Sequence, residues 1–155
     1  MGVERRFAPP VIVVGVDGSP DGVRAALWGA HEAAARDLPL RLVSVTDEAP
    51  DATAGRLVHD AVTTVQSAGL PVEVVAEVVT GSPAAALLEA STGAAMVCIG
   101  AVGLKHFEHN RVGSTAAALV AEAHCPVAIV RSAGRVSEDG PGWVVVELDE
   151  TPDSA

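Results

Sequence analysis

The sequence predicts an α/β fold in which a parallel β-sheet lies between two layers of helices. Short β-branched runs alternate with helix-like segments through residues 11–131, in the order βαβαβαβαβ. Several runs are apolar at nearly every position, which is typical of strands buried on both faces. Ser19-Pro20 and Ser82-Pro83 each give a helix-start signal, a capping serine followed by proline. Together these features favour a three-layer, doubly wound sandwich with five parallel strands.

The first half of the domain is predicted to hold three strands and two helices. Asp21 follows the first Ser-Pro pair, where a carboxylate favours the positive end of a helix. Gly69 and Pro71 end the second helical segment. The predicted elements are a strand at Val11–Val16, a helix from Ser19 with Val23, Ala26, Leu27 and Ala30 on one face, a strand at Leu40–Val45, a helix at Asp51–Ser67 and a strand at Val72–Val79.

The second half is predicted to hold two helices, two strands and a long polar loop. The loop, Gly103–Gly113, follows a strand and precedes a helix. The predicted elements are a helix at Ala84–Ala90, a strand at Ala95–Gly100, a helix at Ser114–Ala123 with Leu119 and Val120 inward, and a strand at Pro126–Val130.

Composition divides the chain into four segments. Residues 1–10 form a short charged extension, residues 11–131 the domain, residues 132–142 a linker and residues 143–155 a further segment that opens on a predicted strand, Trp143–Leu148. Residues 132–155 hold one base and six acids, so this end of the chain is strongly acidic.

The last predicted strand resembles the first. When the sequence is shifted by 132 residues, Pro9–Gly22 lies over Pro141–Ser154 with six of fourteen positions identical. A domain-sized repeat indicates duplication, so we interpret residues 143–155 as the first strand of a truncated second copy. The alternative is coincidence between two buried strands with turn residues. The strand has no core of its own, so it must pair with an edge of this sheet, swap onto a partner chain or stay mobile.

Charge and composition argue against several classes of function. Ten basic and twenty acidic residues give a net charge of −10, which disfavours binding to nucleic acid or to an anionic membrane. Aromatic residues make up 3% of the chain and tyrosine is absent, which disfavours stacking on bases. No apolar run reaches the ~18 residues of a membrane span. Two cysteines make no disulfide framework, so a cytoplasmic protein is expected, and His124-Cys125 lacks a second pair at zinc-ligand spacing.

Glycines and scarce basic residues cluster after the fourth predicted strand. The glycines and the hydroxyl residues after them are Gly100, Gly103, Gly113, Ser114 and Thr115, in the spacing G-x2-G-x9-G-S. The basic and histidine residues of the loop are Lys105, His106, His109 and Arg111. Glycines let the backbone approach an anion closely, and a helix N-terminus adds N–H donors. The pattern favours a phosphate site, with Asp17 at the neighbouring strand end as a hydrogen-bond acceptor for ribose or base.

These motifs resemble those of the universal stress protein family. The resemblance covers Val11 to Arg131 and rests on VVGVDGSP at the first strand, the G-x2-G-x9-G-S signature and the closing AHCPVAIVR strand. It implies an adenine nucleotide α-hydrolase-like fold with strand order 3-2-1-4-5. With the 132-residue repeat, it also implies the N-terminal half of a tandem-domain member.

The resemblance implies a site for ATP, with or without Mg²⁺. In ATP-binding members of the family, adenine and ribose lie beside the first two strands and the phosphates lie in the glycine loop. Carried over by motif, the ATP-binding residues are Val16, Asp17, Val45, Gly100, Gly103, Val112, Gly113, Ser114 and Thr115. Asp17 supplies the acid, Ser114 the hydroxyl, and Val16, Val45, Val112 and Thr115 backbone contacts. The implied assembly is a homodimer or a pairing with a second domain of the family.

The loop departs from the family pattern, and the site residues also have structural interpretations. Ala101-Val102 and Lys105–Arg111 stand where many ATP-binding members carry small or polar residues, which puts phosphate number and affinity in question. Asp17 can be a turn former, and Gly100 and Gly103 can be turn glycines. The charged loop side chains can simply be solvated. Ser19 is predicted as a helix cap, and Cys98 as a small core residue.

We expect a regulatory module of the stress response, in which nucleotide binding orders the Gly103–Gly113 loop and changes the surface presented. One rival is a slow nucleotide hydrolase, for which Asp17 is the nearby carboxylate. Another is an interaction module without nucleotide, in which Ala101-Val102 and Lys105–Arg111 fill the cleft. AMP or cyclic AMP in place of ATP is a variant of the first expectation.

Overall fold

The five predicted strands and four predicted helices of the domain occur in the predicted order. The computed structural model describes residues 10–101 and 113–131, together with the backbone of residues 143–146. The strands are β1 (Val11–Gly15), β2 (Leu40–Thr46), β3 (Val74–Thr80), β4 (Ala94–Gly100), β5 (Val127–Val130) and β6 (Trp143–Val146). The helices are α1 (Pro20–Arg36), α2 (Ala52–Ser67), α3 (Pro83–Ser91) and α4 (Ser114–Glu122).

The sheet has the order β3-β2-β1-β4-β5-β6, so the implied order 3-2-1-4-5 is confirmed. The first five strands of that order are parallel. β1 lies in the centre, where Ile12 is opposite Leu40 of β2 on one side and Met96 of β4 on the other. The chain direction across the sheet reverses between β1 and β4, which leaves a crevice beyond their carboxyl ends.

Two hydrophobic cores lie on opposite faces of the sheet. Side chains alternate along β1, so Ile12 and Val14 pack in the core beneath α1 and α2. Val13 points the other way, into a core that holds Leu87 of α3 and Leu119 of α4. Each face therefore carries two helices, as a doubly wound fold requires.

The face of α1 that meets the sheet differs from the prediction. Ala26 and Ala30 are buried as expected, whereas Val23 is 39% exposed and Leu27 is half-buried. A Cβ added to Gly29 would lie 2.6 Å from Cγ2 of Val14, so the helix approaches the sheet closely. Small residues therefore form the buried face, which consists of Asp21, Gly22, Ala25, Ala26, Gly29, Ala30 and Ala33.

Side chains cap the first three helices, and the serine caps of α1 and α3 are the ones that the sequence predicts. The Ser19 hydroxyl accepts a hydrogen bond from the Gly22 N–H at 3.0 Å, and the Asp51 carboxylate accepts one from Ala54 at 2.9 Å. Ser82 caps α3 in the same manner. α4 begins after Gly113 and has no side-chain cap.

β6 extends the sheet beyond β5. Its four described residues, Trp143–Val146, pair antiparallel with Val127–Val130, within the predicted span Trp143–Leu148. Of the three expected positions for this strand, pairing with an edge of this sheet is the one observed. Its interpretation as the start of a second copy stays a prediction. Within the described ranges, no helix is long and apolar enough to cross a membrane.

Candidate functional site

A cleft of about 530 Å³ opens at the carboxyl ends of the strands, beside the reversal between β1 and β4. Its walls are the β1–α1 turn, the end of β2, the end of β4 and the first residues of α3 and α4. Seven implied site residues line it: Val16, Asp17, Val45, Gly100, Gly113, Ser114 and Thr115. The other two, Gly103 and Val112, lie outside the described residues, as do Lys105, His106, His109 and Arg111.

Asp17 is held in place by its own turn. Its Oδ1 atom accepts a hydrogen bond from the Ser19 N–H at 2.9 Å, and Ser19 in turn caps α1. The side chain is otherwise exposed on the wall of the cleft. The turn-forming interpretation of Asp17 is therefore confirmed, and a second carboxylate oxygen remains for a ligand. Contact with ribose or base stays a prediction.

Val16 and Val45 border the cleft from neighbouring strands. Val16 is buried, and its N–H donates to the Val43 carbonyl at 2.9 Å, so that N–H is already engaged. Val45 is half-buried near the end of β2, opposite Val79 of β3. Both positions are compatible with a backbone contact to a flat base. For Val16 such a contact has to use an atom other than the N–H.

The two described glycines of the signature, Gly100 and Gly113, lie in different surroundings. A Cβ on Gly100 would lie 2.7 Å from backbone atoms of Asp21 and Gly22, so glycine is needed there for the close approach of α1. Among the described residues, a Cβ on Gly113 would meet only the Ala101 carbonyl oxygen, at 3.6 Å, and the backbone φ is −65°. Close packing therefore explains Gly100, whereas neither a close contact with a described residue nor a positive φ explains Gly113.

The N-terminus of α4 faces the cleft, and no side chain of the described residues caps it. Gly113 occupies the cap position, and its own N–H donates to the Ala101 carbonyl at 2.9 Å. The first N–H groups of an α-helix have no partner within the helix, and they carry the positive end of its dipole. The Ser114 hydroxyl and the half-exposed Thr115 add further donors. This end of the cleft is suited to an anion.

Charge is distributed unevenly along the cleft. Among the described lining residues the ionisable ones are Asp17 and Asp47, and none is lysine or arginine. Asp17 follows β1 and Asp47 follows β2, whereas α4 begins at the end of the loop after β4. An anionic group is repelled by them and favoured by the α4 N-terminus, so the arrangement gives the cleft a polarity.

Several lining residues were not predicted as part of the site. Thr46 ends β2 and Asp47 follows it, whereas Ser82 caps α3 and Pro83 and Ala84 begin that helix. The Ser-Pro pair does signal a helix start. In a parallel sheet every strand points to the same edge, so that signal also places the α3 N-terminus at the cleft.

The two cysteines lie away from the cleft and are free thiols. Burial raises the pKa of the Cys98 thiol far above its usual range, and the nearby Glu32 charge raises it further. Burial also raises the pKa of Cys125. Cys98 is therefore the core residue that the sequence predicts. Within the part of the chain that the structure describes, no three His, Cys, Asp or Glu residues are grouped to hold a metal ion.

The chain matches the model of the universal stress protein family over residues 10–131. A universal stress protein of Mycobacterium tuberculosis is 45% identical over 159 aligned residues, which cover 94% of this chain and 56% of that protein. A second from the same organism is 40% identical over 152 residues, again covering 56% of its length. The chain thus spans little more than half the length of these relatives.

A solved structure supports the same assignment. The crystal structure of a universal stress protein in complex with cAMP is 27% identical, with a TM-score of 0.66. The similarity covers 78% of this chain and 95% of that one. The family match spans the whole α/β domain, including the cleft, and the chain belongs to the universal stress protein family.

Proposed function

We propose that the cleft between β1 and β4 binds an adenine nucleotide, and that the domain acts as a regulatory stress-response module. The observation that carries this is the uncapped α4 N-terminus, which faces a cleft with two carboxylates elsewhere on its wall. A volume of about 530 Å³ lies within the ~300–1,000 Å³ of typical small-molecule sites. The cAMP complex of a relative 27% identical supports the class of ligand.

The polarity of the cleft favours one orientation of the nucleotide. The phosphates lie at Gly113, Ser114 and Thr115, where N–H and hydroxyl donors meet the positive end of α4. The base and sugar lie beside Val45 and Asp17, and the Asp17 carboxylate accepts a hydrogen bond from a ribose hydroxyl. The reverse orientation places phosphate against Asp17 and Asp47, which the like charges disfavour.

ATP is the nucleotide we propose first, with AMP and cyclic AMP as the alternatives. The described cleft supplies no cation, so additional phosphates depend on Mg²⁺ or on the basic residues of 102–112. Mg²⁺ is commonly bound through phosphate oxygens and several waters, so it offsets the charge of further phosphates where the described wall carries no lysine or arginine. Regulation follows from linkage, because a nucleotide that prefers one conformation shifts the population toward it.

We also propose that this domain is one half of a tandem protein. The relatives are nearly twice as long as the matched region, since the chain covers 56% of them. The repeat of Pro9–Gly22 at Pro141–Ser154 supports the interpretation of residues 143–155 as the start of a second domain. The partner of this domain is then a second domain of the same family or a second copy of the chain.

Calorimetric titration of ATP, AMP and cyclic AMP, with and without Mg²⁺, tests the proposal. Asp17→Asn keeps the oxygen that accepts from Ser19 and removes the charge, so the turn is preserved. We expect about tenfold weaker binding, the usual effect of losing a charge-assisted hydrogen bond. Asp60→Asn, an exposed position on α2, is the matched control and is expected to bind normally.

Two results contradict the proposal. One is the absence of binding by any of the three nucleotides at millimolar concentration in a folded sample. The other is equal weakening by Asp17→Asn and Asp60→Asn. Phosphate release in the same samples distinguishes a regulatory site from a slow hydrolase, and turnover abolished by Asp17→Asn with binding retained favours the hydrolase.

A further inference from the structure

The backbone of Val45 is directed toward the cleft, because β2 extends further than β1 at this edge of the sheet. Successive residues of a strand direct their N–H and C=O groups to opposite sides. The Val43 carbonyl accepts a hydrogen bond from the Val16 N–H, on the side of β1. The Thr46 carbonyl accepts one from the Gly81 N–H, on the side of β3. Val45 therefore faces the side of β1, beyond the last pair of the β1–β2 ladder, and it lines the cleft there.

A backbone donor beside a backbone acceptor fits the edge of adenine that carries N1 and the 6-amino group. N1 accepts a hydrogen bond, and the amino group has two hydrogens to donate. In guanine and hypoxanthine N1 carries a hydrogen and O6 is an acceptor, so both roles are reversed. In the orientation given under Proposed function, Val45 engages N1 and one amino hydrogen. The second amino hydrogen is then left for a side chain near the end of β2.

Asp47 is the acidic residue at that end of β2. It lines the cleft directly after the strand, and it is exposed. The Thr46 hydroxyl donates to the Glu48 carbonyl, so a hydrogen bond spans Asp47 and holds the chain around it. Across the ranges that the structure describes, no basic side chain pairs with the Asp47 carboxylate. Its oxygens are therefore available to a ligand.

The other carboxylate of the cleft, Asp17, has a different position. It follows β1, and one of its oxygens accepts from the Ser19 N–H. In the proposed orientation Asp17 accepts a hydrogen bond from a ribose hydroxyl. The two carboxylates then contact different parts of the ligand, so their contributions to binding can be measured separately.

We propose that Asp47 is the residue that selects the base. Its carboxylate accepts a hydrogen bond from the second amino hydrogen of adenine and repels the carbonyl oxygen that guanine and hypoxanthine carry at that position. An ionised carboxylate has acceptors only, so exchange of the amino group for a carbonyl replaces a charge-assisted hydrogen bond by repulsion. The inference rests on the proposed function and adds to it the residue that determines base specificity.

Titration calorimetry with AMP, IMP and GMP tests this role, because the three nucleotides share ribose and phosphate and differ in the base. We expect the parent chain to bind AMP about a hundredfold more tightly than IMP or GMP. Asp47→Asn replaces the carboxylate by an amide, which is able to accept from an amino group or donate to a carbonyl. The preference for AMP over IMP is expected to fall about tenfold in this variant, through weaker AMP binding and stronger IMP binding.

Two further variants separate base selection from other effects of charge. Asp17→Asn is expected to weaken AMP and IMP by the same factor and to leave their ratio unchanged. Glu48→Gln removes a charge from the exposed residue next to Asp47, which is not among the residues that line the cleft. It is the matched control, and it is expected to keep both affinities and the ratio of the parent chain.

The outcomes distinguish this inference from the proposed function. If no nucleotide binds at millimolar concentration, both are overturned. If AMP binds but the parent chain does not discriminate against IMP, or Asp47→Asn keeps the parent ratio, only the base-selecting role is overturned. The same change of ratio in Glu48→Gln also overturns it, because the effect is then one of general charge. A ratio that falls in Asp47→Asn alone supports it.

Discussion

At the scale of single residues, Gly113 is the position at which an alanine substitution tests the proposed phosphate site most directly. Gly113→Ala fits the described surroundings, because the described atom nearest to the new methyl group is the Ala101 oxygen at 3.6 Å and φ is −65°. We expect a small loss of thermal stability, because alanine is a poorer N-cap than glycine, and a fall in nucleotide affinity of about tenfold by calorimetry, a change of about 1.4 kcal/mol. Unaltered affinity would contradict a close approach of the phosphate to this residue.

Gly55→Ala supplies the comparison for that variant. Gly55 lies in the first turn of α2, and nothing lies within 4 Å of an added Cβ. Alanine is the better helix former, so we expect the free energy of unfolding in urea to rise by about 0.5 kcal/mol. Nucleotide affinity is expected to stay the same. A loss of binding here would show that glycine-to-alanine changes weaken binding without touching the cleft.

The buried thiol of Cys98 predicts an alkaline loss of stability. Its folded pKa is raised by burial, whereas the unfolded thiol titrates near its ordinary value of about 8.5. The neutral thiol is favoured in the folded state. Its contribution to the free energy of unfolding is therefore complete below about pH 8.5 and declines as the pH rises above that value. The expected slope is about 1.4 kcal/mol per pH unit per thiol.

Urea unfolding between pH 7.5 and 10 measures this slope. The chain has no tyrosine and a single lysine, so few other groups titrate in that range. Cys98→Ala is expected to remove much of the slope, although it also lowers stability at every pH by leaving a small cavity. If the slope is the same in Cys98→Ala and in the parent chain, the alkaline loss of stability does not come from the Cys98 thiol.

At the scale of elements, the β1–α1 turn depends on contact with α2. Gly18 has φ of +80°, and a Cβ there would lie 2.6 Å from Cδ2 of Leu57. Gly18→Ala should therefore lower the free energy of unfolding by about 1–2 kcal/mol through backbone strain, and weaken nucleotide binding because Asp17 moves with the turn. Adding Leu57→Ala removes the clash but not the strain, so only part of the binding should return. Parent-like stability in Gly18→Ala would contradict this account.

Strands and helix starts were predictable because their signals are local. β-branched runs and Ser-Pro pairs occupy a few consecutive residues, and three of the caps act within four residues. The face of α1 was not predictable from hydrophobicity, and the choice of Val23 was wrong. That face is set by how closely the helix approaches β1 and β4, where Gly29 and alanines fit and a valine does not.

At the scale of the whole molecule, the order of the strands in the sheet brings the residues of the candidate site together. Asp17 and Gly113 are 96 residues apart in sequence and meet at one cleft because β1 and β4 are neighbours in the sheet. The motifs that contain these two residues could be recognised in the sequence. Their positions at neighbouring strand ends also suggested that one ligand spans the two motifs. Asp47 was missed because no motif marks it, and the Ser82-Pro83 motif marked a helix start without showing that this start borders the cleft. Only the common direction of the strands places them at the same edge.

The most direct test of nucleotide binding at this cleft is an amide NMR titration of the chain with AMP and with ATP–Mg²⁺. Chemical shifts should move at Asp17, Asp47, Ser114 and Thr115. They should stay fixed at Glu77 and Gly93, which line a separate groove of about 610 Å³ beside α3. Shifts confined to the cleft and saturating at one nucleotide per chain are the predicted result. Shifts centred on that groove, or none at millimolar nucleotide, would contradict the account.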